Sequence, residues 1–315
     1  MNYTTHHFTT HDQEQLFYYH WKHNAPKGVI QIAHGLGEHA GRYIRIAQTL
    51  YENGYEVYAN DHRIHGKSVG SKEHRGVYKG RNYFDDAVAD MHVFSRVILK
   101  DHPKKKIILL SHSMGSLLGR QYAIENGDIL LGMVLSGTGS FLKGIGDIGL
   151  FVARTIKLFK GRKRYSGLLK TLFFGEFNKK FKPNRTKVDW ISSDPSEVDA
   201  FDQDPLRIEN FSISMYIDIL KGSKKVNQPK TFHAMPNALP IYIFSGDQDP
   251  VGEMGKGVKK VADQYSHYGS EDLTLKLYTD GRHEMLNEVN KNEVEKDLLQ
   301  WLDAVSYTHL RAHET

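Results

Sequence analysis

Short aliphatic and β-branched runs recur along this chain, each followed by a stretch of helical period. That alternation restricts the fold more than any other feature. Val29–Ala33 reads as a strand, Arg42–Asn53 as a helix with Ile44, Ala47 and Leu50 on one face, and Glu56–Asn60 as a second strand. The spacing of Phe84, Val88, Met91, Phe94, Val97 and Ile98 predicts a helix over 84–100. Lys106–Leu110 is a nearly continuous apolar run, suited to a strand buried on both faces. A helix over Met114–Glu125 and a strand over Leu130–Leu135 follow. The rhythm stops after Gly137 and resumes with strand Leu239–Phe244, helix Gly255–Tyr265, strand Leu273–Tyr278 and helix Glu293–Ala304. This order predicts an α/β architecture, a mostly parallel central sheet flanked by helices with right-handed crossovers. Residues 1–137 and 236–305 are expected to form the core, and 138–235 a helical cap inserted into it. The last ten residues, 306–315, continue no pattern and read as a disordered or non-native tail.

The chain has 315 residues and no cysteine, so its core forms without disulfides. Zero cysteines fit a reducing compartment. The N-terminus is polar and His-rich, unlike a signal peptide, and no apolar run approaches the ~20 residues of a membrane span. A cytoplasmic location is expected. The net charge is +5, yet residues 141–190 hold 13 Lys/Arg against 3 Asp/Glu, so that segment carries all of the positive excess. It reads equally as a surface for anionic partners, including peripheral contact with an anionic membrane, or as a solvated helical face. Nucleic acid is not an expected partner.

The segment Lys106-Ile-Ile-Leu-Leu-Ser-His-Ser-Met-Gly115 runs from strand through a sharp turn into a helix. A serine at such a turn, here Ser113, has its hydroxyl exposed above the sheet edge in a strained backbone conformation. The following helix points its N-terminus at the site, where free N–H groups favour developing negative charge. Strand and helix approach closely, so the residues two before and two after the serine must be small, as Ser111 and Gly115 are.

A hydroxyl becomes a good nucleophile when a base takes its proton, and the base needs a carboxylate to fix its tautomer. In folds with this turn the order along the chain is serine, acid, histidine. Asp249 follows the strand over 239–244, and His283 follows the last strand. Both sit just past strand ends, where parallel sheets place their sites. Asp247 competes as the acid; Asp249 is preferred as lying further out in the turn, able to swing toward His283. Asp280 and Glu284 read as solvated loop charges. His34-Gly-Leu-Gly37 follows the first core strand, and the backbone N–H of Leu36 can pair with that of Met114 to hold an oxyanion. The HxxH pair His62 and His65 lacks a third ligand at helical spacing, so no metal is expected. His6, His7, His20 and His23 receive no role.

The stretches HGLGEHAGRY (34–43), DHRIHGKS (61–68), SHSMGS (111–116), SGDQDPVG (245–252) and GRHEMLNE (281–288) together resemble the monoacylglycerol lipase and lysophospholipase-like branch of the α/β hydrolases, grouped with serine aminopeptidases. The resemblance runs from about residue 10 to 304. It implies the α/β-hydrolase fold with a cap, Ser113, Asp249 and His283 as triad, and Leu36 and Met114 as oxyanion donors. Ser111 stands where the family has Gly, and so does Ile64.

These readings point to a serine hydrolase that cleaves carboxylic esters through an acyl-enzyme, without cofactor or metal. Monoacylglycerols, lysophospholipids or similar single-chain lipid esters are the expected substrates. An aminopeptidase is the nearest alternative, since Asp194, Glu197, Asp199, Asp202 and Asp204 offer carboxylates for a substrate ammonium group. A non-catalytic binding protein on the same fold is the other.

Overall fold

The computed structural model describes residues 2–312. Eight strands form one sheet: β1 (Thr4–Thr9), β2 (Gln15–Trp21), β3 (Gly28–Ala33), β4 (Tyr55–Asn60), β5 (Ile107–His112), β6 (Leu130–Ser136), β7 (Ile241–Gly246) and β8 (Leu273–Tyr278). Their order across the sheet is β1-β2-β4-β3-β5-β6-β7-β8. The β1–β2 and β2–β4 pairs are antiparallel and every other pair is parallel.

The central strands are buried along their whole length because helices cover both faces. Alternate residues of one strand serve opposite sides. Ile30, Ile32, Ile108 and Leu110 pack with Ile46 and Leu50 of α1 (Ile44–Glu52). Val29, Ala33, Ile107 and Leu109 pack with residues of α2 (Tyr83–Asp101) and α3 (Met114–Asn126), among them Phe94 and Leu118.

Five helices lie between β6 and β7: α4 (Ile145–Lys160), α5 (Gly167–Phe174), α6 (Pro195–Asp202), α7 (Ile213–Val226) and α8 (Pro229–His233). They do not stand apart as a block. α7 lies along α2 and α3, and Gly222 rests on the Phe84 ring so closely that a Cβ there would overlap it. A smaller apolar cluster, Val188, Ile191, Val198 and Phe201, holds the segment around α6 together. The chain closes with α9 (Lys256–His267), β8 and α10 (Lys291–Ala312).

Two features depart from the sequence reading. β1 and β2 lie in the N-terminal stretch read only as polar. β1 is an edge strand exposed at five of its six positions, so selection for apolar alternation is weak there. His20 on β2 is buried and bonds Glu56 at 2.7 Å. At the other end, α10 continues through Ala312 and Ser306 is buried. The expected tail is therefore helical over 306–312; residues 313–315 lie outside the described residues.

Candidate active site

Ser113 follows β5, Asp249 follows β7 and His283 follows β8. The structure brings the three side chains together at the carboxyl ends of the strands. His283 Nε2 lies 2.9 Å from Ser113 Oγ, and Nδ1 lies 3.0 Å from both carboxylate oxygens of Asp249. Nδ1–H thus donates to Asp249, leaving the Nε2 lone pair to accept the Ser113 hydroxyl proton. Burial works against a charged imidazolium, but the Asp249 carboxylate outweighs it and moves His283 above its ordinary value. For Asp249, burial would raise the carboxyl; the charge of His283 and the bonds from His283, Ser245 (2.7 Å) and the Val251 N–H (2.9 Å) hold it below the ordinary range.

Local structure explains the placement. Ser113 has φ 51 and ψ −117, a left-handed conformation that non-glycine residues adopt only when the surroundings impose it. Its N–H donates to Ser136 O on β6 (2.9 Å). Gly115 is required because a Cβ there would overlap the Ala33 carbonyl oxygen at the end of β3. The turns carrying Asp249 and His283 are likewise docked on each other. The Asp247 and Gln248 N–H groups donate to the carbonyl oxygens of Tyr278 and Gly281 at 2.9 Å each, and a Cβ on Gly246 would overlap the Gly281 carbonyl.

The preference for Asp249 over Asp247 rested on the wrong geometry. Asp249 does not lie further out; it is 0% exposed and turned inward beneath His283. Asp247 is partly exposed and accepts the Asp280 N–H at 2.9 Å.

The loop 34–37 abuts Ser113: a Cβ on Gly35 would stand 3.1 Å from Ser113 Cβ. The N–H groups flanking Leu36 are occupied, Gly35 donating to Glu38 Oε1 (2.6 Å) and Gly37 to His65 Nε2 (3.3 Å). Among the described residues, the N–H groups of Leu36 and Met114 have no acceptor. His65 Nδ1 donates to Arg63 O at 3.0 Å, so its lone pair faces Gly37. Burial lowers His65 to about 4, keeping that ring neutral. The HxxH pair is accordingly buried in the wall of this loop.

A second correction concerns Glu284. It is not a solvated loop charge but 6% exposed, and it receives a two-pronged bond from Arg42 at 2.7 and 2.6 Å. Arg42 also bonds Glu38 at 2.8 Å, and Glu38 accepts the Tyr43 hydroxyl at 2.8 Å. This network ties the segment after loop 34–37 to the segment carrying His283. Burial alone would raise Glu284; Arg42 holds it down to about 2. The Glu38–Arg42 spacing of four was the available sign in the sequence. Replacing Arg42 with Leu leaves two buried carboxylates without a counter-charge. The expected loss is about 3–5 kcal/mol, a fall in Tm of roughly 5–15 °C, read by thermal unfolding at neutral pH. The contribution of Glu284 is present above the ordinary carboxyl range and fades as pH falls through it toward 2.

A sequence profile of the serine aminopeptidase S33 family matches residues 24–290. The chain belongs to that family. It is 28% identical over 281 residues to a monoacylglycerol lipase of Mycolicibacterium smegmatis, covering 88% of each chain. Identity to a monoglyceride lipase of Rattus norvegicus is also 28%, over 308 residues, covering 94% of this chain and 89% of that one. The crystal structure of a thermostable carboxyl esterase from Bacillus coagulans, in complex with glycerol, superposes with a TM-score of 0.89 at 26% identity, covering 97% of this chain and 99% of that one. The fold is that of the α/β hydrolases.

Two departures from the family pattern have structural answers. Ser111 is accommodated because its hydroxyl donates to Val134 O at 2.7 Å and the helix residue facing it is Gly119, where a Cβ would stand 3.0 Å from Ser111 Oγ. Ile64 keeps the left-handed backbone, φ 63, that suits glycine. For a β-branched residue this costs about 1–2 kcal/mol; its side chain packs against the main core cluster.

The segment between β6 and β7 closes over His283. The Trp190 ring lies 5.2 Å from the His283 ring. Glu284 N–H donates to Ile191 O at 2.7 Å, and Arg282 donates to Ser192 O at 2.9 Å. The sequence carried no local sign of these contacts.

Proposed function

We propose that this S33-family protein is a serine esterase acting through an acyl-enzyme on single-chain lipid esters. The observation that carries the reading is the hydrogen-bonded chain Ser113–His283–Asp249, with the Leu36 and Met114 N–H groups unoccupied beside it. Ser113 Oγ attacks the ester carbonyl carbon as its proton passes to His283 Nε2. The carbonyl oxygen takes the negative charge and accepts from Leu36 and Met114. Collapse expels the alcohol, protonated by His283. A water then attacks the acyl-enzyme with His283 as base, and the acid leaves as Ser113 regains its proton. No step calls for a cofactor or metal.

Carboxylic ester hydrolysis fits relatives named as monoacylglycerol lipases and a neighbour named as a carboxyl esterase. The aminopeptidase alternative loses its anchor. Asp194 and Glu197 both pair with Lys291, Asp199 with Arg185, Asp202 with Arg207, and Asp204 with His39. Each acid is already engaged. A panel of p-nitrophenyl esters, monoacylglycerols, lysophospholipids and aminoacyl amides tests the reading: turnover of the esters with none of the amides is expected, and preferential amide cleavage would overturn it.

The cap, residues 138–235, supports a lipid substrate. α4 buries Leu150 and Ala153 yet leaves Phe151 71% and Phe159 86% exposed, beside Lys157 and Lys160. No helix among the described residues is long and apolar enough to cross a membrane. Exposed aromatic groups interleaved with lysines suit a helix resting on an anionic lipid surface. Sedimentation with anionic vesicles at low salt is expected, with loss at high salt and in a Phe151→Ser/Phe159→Ser variant. Equal absence of binding to anionic and neutral vesicles would leave a soluble esterase with a basic lid.

A further inference from the structure

A cleft of about 250 Å³ opens between α4, α7 and the loop preceding α2, and none of its lining residues belongs to the site of Ser113. Its walls carry four cations, Arg81, Lys157, Arg162 and Lys221, and one acid, Asp218. The side chains of Arg81, Lys157 and Lys221 make no hydrogen bond or ion pair among the described residues. The neighbouring lysines differ: Lys224 pairs with Asp147 at 2.6 Å and Lys225 with Asp85 at 3.2 Å. Asp147 and Asp85 are thus taken up by lysines outside the cleft, and within it four cations face the single acid Asp218.

Two members are held in place. The Arg162 carbonyl accepts the Ser214 N–H of α7 at 3.0 Å, and its guanidinium donates to the carbonyl oxygen of Gly80 and, at 3.4 Å, of Arg81. Asp218 is buried and accepts the N–H of Tyr83, the first residue of α2, at 3.0 Å. Its carboxylate is engaged in closing that helix end. Four cations set against one acid repel one another, and an anion with several acceptor oxygens relieves that repulsion. Tetrahedral oxyanions match such a set, since guanidinium and ammonium groups both bond phosphate oxygens with charge assistance.

We propose that this cleft binds a phosphate group, free in solution or as the headgroup of a lipid. The site stands apart from the catalytic reading and does not depend on it. Calorimetric titration of the full chain with inorganic phosphate, at constant ionic strength, is one arm of the test. Sedimentation with phosphatidylcholine vesicles, with and without phosphatidylglycerol, is the other. Both arms compare R81Q/K221Q, which spares the lysines of α4, with K259Q/K260Q, which removes the same charge from the exposed face of α9. Saturable phosphate binding that weakens about tenfold or more in R81Q/K221Q, and is unchanged in K259Q/K260Q, identifies a site for free phosphate. No binding of free phosphate, with phosphatidylglycerol-dependent sedimentation lost only in R81Q/K221Q, identifies a headgroup site. The proposal is overturned if neither probe binds, or if both double variants weaken binding alike, which would mark diffuse surface charge.

Discussion

Ser113→Ala is expected to lower ester turnover by about five to six orders of magnitude, because it removes the hydroxyl placed to attack. Ser113 Oγ sits 2.9 Å from His283 Nε2, and its backbone is strained into a left-handed turn. His283→Ala should fall by a similar amount, since the two act as a unit and their losses do not add. The small Ser→Ala change removes no buried hydrogen bond to the backbone, so the melting temperature should hold while activity disappears. A fluorophosphonate probe should label the parent protein at one site per chain and leave Ser113→Ala unlabelled. Wild-type turnover in Ser113→Ala would refute the mechanism, and an unlabelled parent would favour a binding protein on a hydrolase fold. With His283 raised above its ordinary value of about 6.5, the neutral base is lost as pH falls through that raised value, and kcat/KM should decline there.

The second large effect separates two carboxylates a single residue apart. Asp249→Asn should reduce turnover by about four orders of magnitude. The amide would present an N–H toward His283 or favour the wrong tautomer, and it cannot stabilise the imidazolium. Asp247→Asn should change turnover by less than about tenfold. Among the described residues Asp247 accepts from the Asp280 N–H and the Gln248 side chain, and an amide oxygen can still accept both. Measuring kcat/KM for the two variants on one p-nitrophenyl ester decides the matter; the reverse ranking would move the acid to Asp247.

Much of this protein could be read from local pattern. Continuous apolar runs such as Ile107–Leu110 mark strands buried on both faces, and 3.6-residue periods such as that of α2 mark the covering helices. Those periods depend only on neighbours in the chain. Parallel sheets gather their sites at strand ends, so Ser113, Asp249 and His283 were legible as candidates in the turns past β5, β7 and β8, with Asp247 competing as the acid. The edge strand β1 was not legible, because its exposed face imposes no apolar alternation.

Tertiary structure alone decided which charges meet. Arg42 and Glu284 lie 242 positions apart, and nothing in the local sequence around either reveals that each is buried against the other. The same holds for the acids of α6 and its flanks: as a sequence they offer a cluster free to hold an ammonium group, and in the fold four of them pair with Lys or Arg while Asp204 bonds His39. It holds in reverse for Arg81, Lys157 and Lys221, which look like any basic surface residues until the packing of α4 on α7 sets them around one cleft. A charge's neighbours along the chain say little about its partner in space, because the Coulomb energy depends on separation and burial, and both are set by how distant elements pack.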